Sequence, residues 1–112
     1  MLDPIANSLE RYMDVLSARQ RLMASNIANA DTPGYKTQDL DFHAEFRSLV
    51  RGASPHPVEV TGLQVRNDGN NVSLDREARL LAENALRFNL ASSLLRTQIR
   101  TVRSAIKEGR SG

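Results

Sequence analysis

The chain has no cysteine, few aromatic residues and no long apolar run, and each absence removes a class of function. Without cysteine there are no disulfides, thiolate nucleophiles or cysteine zinc sites. This leaves the compartment open, because many exported proteins also lack cysteine. Aromatics make up 4% of the residues, too few for a large aromatic core or a base-stacking platform. The start, MLDPIANSLERYMD, lacks a basic stretch followed by an apolar one, so no cleavable signal peptide is expected. No apolar run reaches the roughly 20 residues that span a bilayer, so direct membrane insertion is not expected either. A charge excess of one sign is also missing: the net charge is +2. The small basic surplus sits in residues 73–112, with eight basic and four acidic residues. Arg96, Arg100, Arg103, Lys107 and Arg110 there suit the negative end of a helix dipole. Interspersed acids and the lack of a paired reader helix argue against a nucleic-acid partner.

What is present is periodicity. At 112 residues and 40% hydrophobic content, the chain is long enough for one domain with a modest core. Asp3 can cap a helix that Pro4 opens. From there Ile5, Leu9, Tyr12, Leu16 and Met23 lie on one stripe, interrupted by Arg19, with steps alternating between four and three. Thr32 precedes Pro33 and is pushed toward extended geometry, which predicts a helix end near Asn29. The second helix starts at Ser73 as cap, with Asp75 and Glu77 in its first turn. Leu74, Ala78, Leu81, Ala85, Phe88, Ser92, Leu95, Ile99, Val102 and Ile106 then keep a 4-3 register. That predicts a helix over about 73–108, stopped by Gly109 and around 50 Å long at about 1.5 Å per residue. So long a helix needs the N-terminal helix, another subunit, or both, along its seam.

Three segments follow: 1–36 with the first helix and its turn, a short middle at 37–72, and the long helix at 73–112. The fold class expected is mainly α. Two long amphipathic terminal helices pack as a coiled-coil-like hairpin, with a short irregular or β-containing segment between them. In the middle, Phe42 and Phe46 predict a short helical turn, and NDGNN predicts a tight turn. Val58/Val60 and Leu63/Val65 around Thr61-Gly62 give a weak hairpin signal.

Chemistry is sparse. His43 and His56 lack the close spacing of a metal site and read as surface imidazoles. Asp39 and Asp41 form a carboxylate pair, but nothing marks a pocket to separate their roles, and solvating a loop is the plainer reading. Thr32 and Ser54 have no nearby activating histidine, and no glycine-rich phosphate loop is present. No enzyme activity, cofactor or metal is expected.

The polar block NIANADTPGYK, residues 26–36, looks at first like an active-site loop. Its residues have structural explanations instead. Pro33 and Gly34 suit the second and third positions of a type II turn, where positive φ favours glycine. Asn26, Asn29 and Asp31 can cap backbone groups where the helix unwinds. Thr32 opens the turn, Tyr35 can bury its ring beside it, and Lys36 returns the chain to solvent.

LMASNIANADTPGYKTQDLDF closely resembles the N-terminal signature of the bacterial flagellar axial proteins, the rod, hook and hook-associated group. Within that family, DFHAEF and the segment from NNVSLDREARLL to IKEGR are similar to the proximal rod type. Asn26, Asn29, Thr32, Pro33, Gly34 and Tyr35 match the shared axial motif. Asn71, Asp75, Glu77, Asn84, Phe88, Asn89 and residues 106–109 match the rod-type C-terminal segment. The resemblance implies a structural subunit, exported through the flagellar type III apparatus without a cleavable signal and assembled at the base of the periplasmic rod. The implied partners are copies of itself, other flagellar rod proteins, the rod-to-membrane-ring adaptor protein and the type III export gate. Residues 47–70 are short for the family. Two alternatives stand beside this reading: a second rod-subunit type, whose central domain is generally larger, and a stand-alone helical adaptor or chaperone that binds partner helices.

Overall fold

A computed structural model describes residues 3–50 and 56–111 of the chain. Ser54 and the side chains of Phe46 and Arg110 lie outside the described residues. Helix α1 spans Pro4–Ala28 and opens as its first residues dictate. Asp3 is extended, its carboxylate accepts the Ile5 N–H at 3.1 Å, and Pro4 fills the first turn without needing a donor. The helix ends at the Asn29 cap, whose N–H reaches the carbonyls of Ser25 and Asn26.

Helix α3, Leu74–Ser111, starts where Ser73 Oγ accepts the Arg76 N–H at 3.2 Å. It runs through Gly109 rather than stopping there. Glycine in a helix costs about 1 kcal/mol through backbone entropy, but it does not forbid the helical conformation. At about 1.5 Å per residue α3 is roughly 57 Å long, and it sets the 71 Å long axis of the molecule.

The two helices form an antiparallel hairpin. Asn84 on α3 meets Leu16 and Gln20 on α1, and Gln98 donates to the Asp3 carboxylate at 3.0 Å. Because α1 begins opposite Gln98, residues 103–109 of α3 run past it, all of them exposed. Helix α1 buries two stripes. Leu16 and Met23, seven apart, belong to the α3 side. Val15 and Ala18 pack with Leu40, and Leu22 and Phe42 close over them. The Tyr12 ring meets Phe42 edge-on at 5.4 Å.

The middle departs from the expected hairpin. Strand β1, Gln38–Asp39, pairs antiparallel with β2, Val58–Glu59, aligning Gln38 with Glu59 and Asp39 with Val58. Leu63 and Val65 form no strand. Gly62 takes a positive φ and bends the chain, while β1, held against the end of α1, offers the nearer edge. Between the strands, Phe42 opens a full helix, α2, Phe42–Val50, rather than a single turn. Asp41 starts it by accepting the Ala44 N–H.

Candidate functional site

The polar block after α1 is half of a two-loop junction. Its Thr32 carbonyl accepts the Tyr35 N–H, and Gly34 has φ +75°, as a type II turn requires. The other half is the turn over residues 66–71, where Gly69 donates to the Arg66 carbonyl with φ +85°. The glycines lie back to back, so a Cβ on Gly69 would stand 3.3 Å from Gly34 Cα. A methyl at Gly69 would press on backbone, and the two loops would have to part by a few tenths of an ångström to admit it. Across it the Gly34 N–H donates to the Asp68 carbonyl at 2.8 Å, and the Asn71 N–H to the Tyr35 carbonyl at 3.2 Å.

Asn70 holds the centre and is fully buried. Its amide nitrogen donates to the carbonyls of Asn29 at 2.9 Å and Thr32 at 2.8 Å. Its oxygen accepts from Arg66 Nη2 at 2.7 Å and the Val72 N–H at 2.8 Å. All four hydrogen-bonding sites of the amide are thus used. Arg66 also donates to the Ala30 and Val72 carbonyls, and so ties the end of α1 to the start of α3. Beside it, Asn71 Oδ1 accepts both the N–H and the hydroxyl of buried Thr37.

Asn29 caps as expected, with its amide on the Ser25 carbonyl and its oxygen accepting from Thr32 Oγ1. Asn26 does something else. Its side chain copies a backbone group, donating to the Gln38 carbonyl at 2.8 Å and accepting the Gln38 N–H at 3.0 Å. Tyr35 donates to the same Asn26 oxygen. Asn26 therefore clips β1 to α1 and is no cap. Asp31 and Pro33 are exposed on the turn. Lys36 does not return to solvent but bends back to donate to the Gly69 carbonyl.

Asp39 is likewise no solvating residue. It is 8% exposed and accepts a two-pronged contact from Arg19, at 2.9 and 3.1 Å. Arg76 reaches it at 3.4 Å and bonds Glu77 at 2.7 Å. Burial forces the pairing, because an unpaired carboxylate there would lose its hydration without replacement. The arginine that interrupts the apolar stripe of α1 therefore anchors β1. This cluster joins α1, β1 and α3 and holds no nucleophile. Among the described residues no group of three or more histidines or carboxylates is placed to hold a metal. His56 is exposed, with its backbone N–H bonded to Glu45.

The helical seam divides. Leu81, Phe88, Leu95 and Val102 are half-buried along the α1 side. The alternate positions of that interface are Glu77, Asn84, Ala91 and Gln98, seven apart, and the first three are buried. The remaining seam residues stay outside: Ala78 and Ala85 are exposed, as are Leu74, Ile99 and Ile106. On α1, Leu9 and Tyr12 are half-buried and Ile5 is exposed. Leu86, Leu90 and Leu94 form a further exposed row, at 71%, 62% and 49%.

Reading for apolar spacing passes over Asn70, Arg66 and Thr37. The only signal for them was positional: glycine-centred, amide-rich turns flank both long helices.

Comparison with known proteins is consistent along the chain. Residues 13–36 match the family described as flagella basal body rod protein. The chain is 31% identical to the flagellar basal body rod protein FlgB of Escherichia coli (strain K12), covering 97% of this chain and 99% of that one. FlgB of Borrelia hermsii is 33% identical over 87% of this chain and 91% of its own. FlgB of Salmonella typhimurium is 29% identical over 96% of each. These alignments extend over 123 to 137 residues, more than the 112 present here, so the relatives carry internal residues without counterparts.

Proposed function

This chain belongs to the family of the flagellar basal body rod protein FlgB, and we propose that it is built into the proximal rod of the bacterial flagellum as a structural subunit. The observation that carries this reading is the seam left uncovered in the single chain. Leu74, Ile99 and Ile106 on α3 and Ile5 on α1 are between 38% and 57% exposed. An α3 that overruns its partner helix is made to continue its packing on neighbours.

In this role α1 and α3 line the tube wall beside copies of the chain and other rod proteins. The export gate and the adaptor protein of the membrane ring meet the base of that assembly. The subunit reaches it through the type III apparatus and works without catalysis. The motif at Asn26, Asn29, Asp31, Thr32, Pro33, Gly34 and Tyr35 sets the angle at which the middle segment leaves α1. Relationship over nearly the whole chain, middle included, favours this over a solitary helical adaptor, and the FlgB name of the relatives above favours it over an FlgC-type subunit.

A cryo-EM map of basal bodies containing this chain tests the reading. The expected map has both helices in the wall of the lowest rod layer, with residues 37–72 against a neighbour. A base from which the chain is absent refutes it.

A further inference from the structure

Within the turn over residues 66–71, Asp68 is followed by Gly69, and no other aspartate or asparagine in the chain precedes a glycine. An aspartyl–glycyl bond is open to rearrangement, because the second residue has no Cβ to hinder attack on the neighbouring side chain. The Gly69 amide nitrogen bonds to the Asp68 side-chain carboxyl carbon. A carboxyl oxygen leaves as water, taking the amide proton and one proton from solution. Water then reopens the cyclic imide. Where it enters at the former main-chain carbonyl, that carbon becomes a free carboxylate and the chain continues through the Asp68 side chain. The product, isoaspartate, has the same composition as aspartate and one more methylene in its backbone. No oxidant or metal takes part.

The closed junction holds every group that this rearrangement must move. The Gly69 N–H donates to the Arg66 carbonyl at 2.9 Å, and the Asp68 carbonyl accepts the Gly34 N–H at 2.8 Å, so both ends of that peptide unit are fixed. The Asp68 carboxylate accepts the Asn70 N–H at 2.9 Å. Asp68 itself is exposed, so these bonds protect it and burial does not. Gly69 is hard to exchange for a residue that would hinder the attack: its φ is +85°, and a methyl there would press on Gly34. The lack of a side chain that lets the loops meet also leaves the bond labile. Isomerisation turns the carbonyl that accepts from Gly34 into a carboxylate and lengthens the turn ahead of Asn70, whose four bonds depend on its position. We propose that Asp68 is a modification site of the open chain: it isomerises to isoaspartate while the junction is unmade, and the isomerised chain cannot make it. Nothing in this chemistry depends on what the chain assembles with.

For the test, the full chain is held in neutral buffer, either folded or unfolded in guanidinium chloride. Isoaspartate is counted by methyl transfer from an isoaspartyl carboxyl methyltransferase and located by resistance of the bond at Asp68 to endoproteinase Asp-N. It should accumulate at Asp68 in the unfolded chain and at least about tenfold more slowly in the folded one, where only the opened fraction reacts. Asp68→Glu should lose the signal, because the longer side chain closes a less favourable ring. Asn70→Ala, which loosens the junction, should raise the rate in folding buffer toward that of the unfolded chain. The separated isoaspartyl chain, returned to folding buffer, should lack the exchange protection of the Gly34 and Asn71 N–H groups that an unmodified chain regains. Equal rates in folded and unfolded chains, or no change with Asn70→Ala, overturn the protection. An unfolded chain without isoaspartate at Asp68 overturns the site. A refolded isoaspartyl chain with both amides protected overturns the block on closure.

Discussion

Replacing Asn70 by alanine is the sharpest test of the two-loop junction. The substitution removes two donor and two acceptor contacts at once. It leaves the Asn29 and Thr32 carbonyls, the Val72 N–H and one Arg66 donor to find other partners at a position with no solvent access. A hydrogen bond contributes about 1 kcal/mol net, while an unsatisfied buried group costs about 1–3 kcal/mol. Arg66 keeps its carbonyl contacts and Thr32 keeps its bond to Tyr35, so the losses do not simply add. A destabilisation of about 3–5 kcal/mol is expected, a large part of the roughly 5–15 kcal/mol that holds a small domain together. Asn70 lies outside every helix, so helix propensity does not confuse the result.

Urea unfolding followed by circular dichroism reads the total, and amide hydrogen exchange localises it. The N–H groups of Gly34 and Asn71, which cross the junction, should lose protection first, ahead of mid-helix amides near Leu16. Asn70→Asp sharpens the comparison. It keeps the shape but sets a carboxylate against the Asn29 and Thr32 carbonyls, with partial compensation from Arg66. If Asn70→Ala shifts stability by under about 0.5 kcal/mol, as an ordinary surface substitution does, and the Gly34 and Asn71 amides stay protected, the junction does not hold the helices as described.

Gly69→Ala should destabilise more than Gly34→Ala: both are strained at positive φ, but only at Gly69 does the new methyl meet backbone, while the site at Gly34 is open. Calorimetric melting of the two variants checks the order. Asp39→Ala strands the partly buried Arg19 guanidinium, while Arg76 keeps Glu77, and should cost about 2–3 kcal/mol in denaturant unfolding, reduced from the fully buried case because Arg19 retains some solvent. Leu94→Glu should leave the isolated chain within about 0.5 kcal/mol of wild type, since its side chain is already half in water. The same variant should fail to restore motility to a strain lacking its own subunit, as a swimming assay will show.

The parts legible in the sequence are those governed by neighbours along the chain. Asp3 before Pro4 and Ser73 before Asp75 mark helix starts because a cap acts within three residues. Pro33 and Gly34 announce their turn for the same reason. Contacts over long separations were hidden. Strand β1 pairs with a segment about twenty residues on, and local alternation could not rank that edge above Leu63 and Val65. The partners of Asn70 on α1 and its turn lie 38 and 41 residues away, and an amide on its own does not disclose what it will bond. The second stripe of α1, buried Val15 and Ala18 with half-buried Leu22, does not show in the sequence because a single 4-3 seam describes a helix with one neighbour. Here α1 has two.

The polar half of the α1–α3 interface explains why apolar spacing on α3 gives a seam rotated from the one the chain uses internally. Glu77, Asn84 and Gln98 occupy positions where leucine would add more burial. Two of them make directed bonds across the interface, Asn84 to the Leu16 carbonyl and Gln98 to Asp3, while Glu77 holds Arg76 of its own helix. The two bonds that cross to α1 specify register more sharply than apolar contacts, because a slip of one turn separates both pairs. They add less net stability than the leucines they replace. The hairpin is thereby aligned by its polar positions, while Leu74, Ile99, Ile106 and the Leu86, Leu90 and Leu94 row are left facing outward. For a subunit that must hold one shape alone and gain most of its burial on assembly, that division is the expected one: hydrogen bonds set the geometry within the chain, and apolar surface is reserved for the contacts between chains.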